Sequence, residues 1–334
     1  MTKTTPPHKI KKPISNKKPR PKKLFIVDHA RLDPSHCLAD GLFKPLFRGS
    51  RTSCELDVHY SAKNSDLTSC WFGPELLDIG DQSVFLAIHR LAAQAGRPER
   101  VDQNHTNPAF VNVRGALNIT THNAETMECL VLTTSPNEIA SIIGVKLSGQ
   151  AKTRILESLN RLSQVSHSIY KSSDPKTVLY QSKMLSVLTE NGQTILGISP
   201  ALSRAIVAAP SSFIDMREQR VLQSDITKRL HLWLSSWIGA NNIAAERTIN
   251  LDLLIPHVWG NTGIEDALYS RRTALKTAIK ELTTLTGWTC TVNTTAAKKC
   301  EVQINRQAIK IGQAIVVESS DVTDESTGRN AQTI

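Results

Sequence analysis

Gln150, Lys152, Thr153, Arg154 and Ser158 lie within nine positions of one another, and none of the five is acidic. Amide, ammonium, hydroxyl and guanidinium groups on one helix face can bond base edges and phosphates in a DNA major groove. A second set, Ser270, Arg271, Arg272, Lys276 and Lys280, has similar chemistry. A fork of Arg suits guanine and an amide suits adenine, so Gln150, Arg154, Arg271 and Arg272 are the candidate base readers. Lys152, Lys276 and Lys280 suit phosphates, as do Lys298 and Lys299 in a later loop.

Catalytic constellations are missing by comparison, and neither catalytic residues, a metal nor a cofactor is expected. Gly144 to Gly149 has the glycine spacing of a phosphate loop, but Gln150 and Ala151 stand where Lys and Ser or Thr are needed. The ten histidines include no His-x-His pair, and Tyr60, Tyr170, Tyr180 and Tyr269 sit in unrelated contexts. No two of the six cysteines fall two to four residues apart, which argues against a zinc ribbon and fits free thiols in a reducing cytoplasm.

The elements that must carry the two polar sets follow from capping and periodicity. Ser135, Pro136 and Glu138 predict a helix start with a capping box, and Gly144 a left-handed stop. The next helix carries Ile155, Leu159, Leu162 and Val165, spaced 4, 3 and 3, as its apolar back. Leu275, Ile279, Leu282 and Leu285 repeat that spacing behind a short helix at Asn250 to Ile255. Each pair is followed by an expected strand, and two helix-turn-helix-strand units suggest tandem winged helices. The first wing is expected to pair Ile169-Tyr170 with Val178 to Gln181 around Asp174-Pro175, with Lys171, Lys176 and Lys183 upon it. Asn191-Gly192 signals a further hairpin, and Trp288 to Val292 with Val302 to Ile304 another.

Elsewhere, Val84, Phe85, Ile88 and Leu91 predict a helix over Asp81 to Gln94, with His89 read as bonded or exposed. Val111 to Val113 and Leu117 to Ile119 read as short strands. One helix is expected from Met216 to Ile238, with Leu222, Ile226, Leu230, Trp233 and Trp237 buried. The net charge of +10 is uneven: residues 1 to 23 hold nine Lys and Arg, five Pro and no acid. That composition predicts a disordered arm that either binds phosphates or solubilises the chain. The organisation expected is an arm at 1–23, winged-helix domains at 24–200 and 213–312, and a disordered acidic tail at 313–334. The fold class is α+β. No run of eighteen apolar residues spans a membrane and no signal peptide is evident, so a cytoplasmic, nucleoid- or plasmid-associated protein is expected.

Asp33 to Phe43 (DPSHCLADGLF), Leu56 to Tyr60 (LDVHY) and Phe72 to Leu77 (FGPELL) resemble the RepC replication initiators of IncQ-type plasmids. So do Arg229 to Ile238 (RLHLWLSSWI), His257 to Gly260 (HVWG) and Gly287-Trp288. The resemblance covers roughly residues 29 to 310 and is weaker between 97 and 220. It implies a non-enzymatic tandem winged-helix protein that binds directly repeated iterons in double-stranded origin DNA. It also implies opening of an adjacent AT-rich region and help in loading the plasmid's replicative helicase. Self-association stays open. The residues also admit a winged-helix repressor bound to an operator, and a rolling-circle nicking enzyme, which would need a metal cluster beside a nucleophilic tyrosine.

Overall fold

The structure is a computed structural model. It describes residues 24–26, 28–46, 51, 54–63, 65–190, 192–208, 210–239, 245–260, 267–294, 300–307 and 309–311. The basic arm, the acidic tail, Lys298 and Lys299 lie outside those residues.

In chain order the elements are β1 (Leu24–Ile26), β2 (His29–Leu32), α1 (Pro34–Leu38), β3 (Leu56–Ser61), β4 (Leu67–Gly73) and α2 (Ile79–Ala92). Then come β5 (Glu99–Val101), α3 (Pro108–Gly115), β6 (Cys129–Thr134), α4 (Pro136–Ile143) and α5 (Gly149–Gln164). Two hairpins follow, β7 (Ser166–Lys171) with β8 (Asp174–Lys183), and β9 (Leu185–Glu190) with β10 (Gln193–Ile198). α6 (Pro200–Val207), β11 (Ser212–Asp215), α7 (Met216–Val221) and α8 (Asp225–Ile238) come next. The last are β12 (Ala245–Asn250), a 3-10 turn (Leu251–Leu253), α9 (Leu254–Trp259), α10 (Leu268–Leu282), β13 (Trp288–Thr294), β14 (Cys300–Arg306) and β15 (Ile309–Ile311).

One arrangement occurs twice. α8, β12, α9, α10, β13 and β14 run helix, strand, helix, helix, strand, strand, and the sheet order is β12-β14-β13. α2, β6, α4, α5, β9 and β10 run the same way, and β6, β10 and β9 are neighbours in that order, with β5 added outside β6. The first copy carries two insertions: β5 with α3, and the β7–β8 hairpin. Ile169 does pair with Tyr180 and Tyr170 with Val178. That hairpin, however, joins β3 and β4 in a separate sheet ordered β3-β4-β7-β8, and β9–β10 takes the place that β13–β14 holds in the second copy. The expected first wing is corrected accordingly. The turn between β9 and β10 places Gly192 at φ +76°, where glycine carries no Cβ penalty.

Each copy has its own apolar core. One gathers α2, α4, α5 and β10 around Phe85, Ile88, Ile139, Leu159 and Leu196. The other gathers α8, α9, α10 and β14 around Leu230, Ile255, Leu275, Ile279 and Val302. The segment between β2 and β3 touches both. The buried guanidinium of Arg229 on α8 donates to Cys37 O and Ala39 O, both at 2.8 Å, and Leu38 packs on the second core. β2 also pairs with β11, and β1 runs parallel to β15.

Three expected elements differ, and the first is the strand expected at Leu117 to Ile119, which is turn and coil. Residues 108–115 are helical rather than stranded, because Asn107 accepts from Ala109 N at 3.0 Å and Pro108 fits the first turn. The helix expected from Met216 to Ile238 is two. Leu222 is extended, and the Glu281 carboxylate accepts from the amides of Gln223 and Ser224. Trp237 is half-buried, stacked on the buried Trp233 at 5.0 Å. His89 is buried and bonds Phe85 O at 2.9 Å through Nδ1.

Candidate nucleic-acid interface

The α4–α5 unit is set by local chemistry. The Ser135 hydroxyl accepts from Glu138 N at 3.2 Å, and Pro136 occupies the first turn. The expected reciprocal half of a capping box is not the contact made. The Glu138 carboxylate instead holds Arg97 at 2.6 Å and Thr134 Oγ1 at 2.8 Å. Gly144 ends α4 at φ +83°, and a Cβ there would come within 2.8 Å of Arg220 Cδ. Arg220 in turn donates to Ile142 O at 3.1 Å and to Asp28 at 2.7 Å. The turn is therefore fixed by α7 as well as by its own glycine.

α5 starts at Ser148, whose hydroxyl accepts from Ala151 N at 3.2 Å. It buries Ile155, Ser158, Leu159 and Leu162. At its far end Arg161 donates to Asp81 Oδ1 from Nη2 at 2.8 Å and from Nε at 3.1 Å. Asp81, on α2, has no exposed surface and also accepts from Arg51 at 2.8 Å. Burial alone would raise its pKa, but the Arg161 guanidinium overrides this and holds the carboxyl below its ordinary value. The pair locks α5 against α2.

α10 repeats α5 with a constant offset of 120 residues: Leu275, Ala278, Ile279 and Leu282 are its buried positions. Position by position, the two helices therefore present comparable faces. A residue two positions from a buried one lies about 200° round the helix and points outward. On α5 that outward line is Thr153, Glu157, Asn160 and Gln164, all exposed. On α10 it is Thr273, Thr277 and Lys280, with Thr284 just past its end and Tyr269 84% exposed at the start.

The expected contact residues distribute unevenly over this geometry. Thr153, Ser270, Lys276 and Lys280 are exposed on or beside the outward line, and Lys152 is exposed at the flank of the helix. Gln150, seven positions before Glu157, starts the outward line and Arg154 flanks it; both are exposed and line a groove of about 300 Å³ between α5, α2 and the start of α8. Ser158 is buried and accepts from Arg161 Nη2 at 3.2 Å, so it faces the core rather than a ligand. Arg272 already spends its fork on Asp252, with two bonds of 2.6 Å. Arg271 lies over Trp259 at 5.5 Å from the ring centroid. In this arrangement the two arginines tie the start of α10 to the 3-10 turn and to α9. Glu157, Asn160, Thr273, Thr277 and Tyr269 share the outward face but were not among the expected contacts. Their signal was the helical offset from the buried stripe, which charge alone does not reveal.

Among the described residues no cluster of three or more His, Cys, Asp or Glu is placed to hold a metal. All six cysteines are free, and Cys290 pairs with Ile304 rather than with Cys300. No described helix is long and apolar enough to cross a membrane.

A doubled helix-turn-helix arrangement with exposed polar faces belongs to the chemistry of nucleic-acid binding. The chain matches the family model of Replication protein C (RepC) over residues 24–306, and it belongs to that family. Its function is that of a plasmid replication initiator. No curated protein matches the sequence. The mixed α+β fold is similar to a crystal structure of domains 2 and 3 of RctB, with TM-score 0.51 and 14% identity over 83% of this chain and 98% of that one. A second crystal structure of RctB domains 2-3 gives TM-score 0.49 and 13% identity, with 82% and 97% covered. The Pi initiator protein in complex with iteron DNA gives TM-score 0.45 and 10% identity, with 70% and 91% covered. At such identities the likeness concerns the fold.

Proposed function

We propose that this initiator binds directly repeated iterons at a plasmid origin through two winged-helix units, one at 24–200 and one at 213–312. α5 and α10 are their recognition helices, and β9–β10 and β13–β14 their wing hairpins. Each helix enters one of two successive major grooves of a repeat, about one helical turn apart. The basic arm at 1–23 adds sequence-independent affinity for phosphates, and the acidic tail at 313–334 stays off the DNA. Bound across an array, the protein opens the adjacent AT-rich duplex and helps load the plasmid's replicative helicase. It works by binding rather than by catalysis, without cofactor or metal, in the bacterial cytoplasm.

The observation that carries this reading is the shared element order and sheet order of the two units, with exposed polar helix faces 120 residues apart. Two copies in one chain fit one asymmetric repeat. A repressor dimer would instead suit an inverted repeat, mirroring its own two-fold axis. Gel-shift titrations of the full chain on one direct repeat, an array of repeats and an inverted repeat test it. A one-to-one complex on the single repeat, and one further complex per added repeat, is expected. Preference for the inverted repeat with two chains bound contradicts it and shows self-association.

A further inference from the structure

The outward line of α5 contains an acid. Glu157 lies two positions before the buried Leu159, and Asn160 two positions before the buried Leu162, so both point away from the core. Both are exposed. Neither side chain makes a hydrogen bond or ion pair to any described residue. The usual partner for Glu157 is a cation four residues on, and Arg161 is there. Arg161 is turned away, committed to Asp81 at 2.8 Å. Glu157 thus presents a bare carboxylate at the middle of the face that the proposed function lays against a polyanion.

A carboxylate there is repelled by every phosphate. Only the amino groups of the bases reward it in the major groove, adenine N6 and cytosine N4, and cytosine, which puts that donor forward without an adenine's N7 acceptor beside it, is the usual partner of a carboxylate. Asn160, one turn further, carries the amide that bonds adenine N6 and N7 as a pair. At the matching positions α10 has Thr277 and Lys280. Threonine bonds several bases without strong choice and touches the thymine methyl, and lysine serves phosphates well.

We propose that Glu157 and Asn160 are specificity-determining residues. Glu157 selects a cytosine and Asn160 an adenine, in the half of the repeat that α5 reads. α10 reads the other half by different and more permissive chemistry. This rests on α5 lying in a major groove, as proposed above.

The test measures competition binding of the full chain to a set of repeats in which every base pair is replaced in turn. Wild type is compared with Glu157→Ala, Asn160→Ala and Lys152→Ala at one fixed salt. Both targeted side chains are exposed and unbonded, and a thermal melt of each variant confirms that folding is unchanged. Glu157→Ala is expected to abolish discrimination of about tenfold at one C·G pair while leaving the rest of the profile intact. It also raises affinity for random DNA. Asn160→Ala is expected to do the same at one A·T pair within the same half. A profile unchanged at every position, with affinity for all sequences raised by one common factor, overturns the proposal and leaves Glu157 a solvated surface charge. Lys152→Ala separates this from failure of the underlying reading. If it weakens all sequences alike, α5 is on the DNA and only the assignment of readers fails. If none of the three variants alters binding, α5 is not on the DNA and both fall.

Discussion

Replacing Asp81 by Asn isolates what holds α5 in place. The substitution keeps the volume and removes a charge that is fully buried and bonded to Arg161 and Arg51, with Asp78 N donating at 2.9 Å. The Arg161 side chain is 14% exposed, so its guanidinium would be left largely desolvated and unpaired. Removing one partner of a buried pair costs about 3–5 kcal/mol. Against a usual domain stability of about 5–15 kcal/mol, that is a severe but survivable loss. In a folding unit of this size it lowers the melting temperature by roughly 6–20 °C. Urea unfolding and thermal melts of wild type, Asp81→Asn, Arg161→Gln and the double variant give the coupling energy. A clear positive coupling is expected, with the double variant less damaged than the two single losses added together. Below the melt, Asp81→Asn should weaken repeat-specific binding more than binding to random DNA, because it loosens the helix that reads bases. A loss below about 1 kcal/mol, the size expected of a surface pair, would refute the locking role.

Three further outcomes are expected. Burial pushes the imidazoles of His36 and His167 down to about 3 and that of His89 to about 4. Their folded values lie below the free value of about 6.5, so the stability they permit is complete above that pH and is lost as pH falls toward the folded values. At pH 5 each contributes about 2 kcal/mol of loss. Urea midpoints at pH 8 and pH 5 should show it, and His167→Phe, which keeps the stack on Trp71 at 5.0 Å, should shrink the difference. An unchanged difference in that variant counts against a neutral buried imidazole. Deleting residues 1–23 should reduce the slope of log affinity against log salt, by at most about 8 for nine charges, while preference for the repeat survives; an unchanged slope makes the arm a solubilising tail. Lys276→Ala and Lys280→Ala should each lower that slope by about one and weaken all sequences alike. A loss of base preference would instead make them readers.

The positions of the two helix pairs were legible because their signals are local. Ser135, Pro136, Gly144 and Ser148 cap or break the chain where they stand, and the 4, 3, 3 spacings of Ile155 and of Leu275 mark faces that are buried. What stayed hidden depends on partners distant in sequence. Arg272 looked like a free fork, but Asp252 lies twenty residues before it. Leu222 continued the apolar spacing of one long helix, yet Glu281 bonds the amides that break it. The β7–β8 hairpin was visible as a hairpin; that it joins the distant β3 and β4 was not. Glu157 and Asn160 were readable in principle, by counting two positions from the buried stripe. A tally of charge passes over them because it records sign and not direction.

In the proposed complex α5 and α10 occupy two separate grooves of one repeat. Tethered cleavage measures this directly. An iron chelate is attached to a cysteine placed at Lys152 or at Lys276 in a Cys54→Ser background, since Cys54 is the exposed native thiol. The strand cuts are then mapped on a single repeat. Two cleavage centres about 10 base pairs apart, one from each tether, each in a major groove, are expected. Coincident centres, or cuts from only one tether on a fully bound repeat, would contradict it.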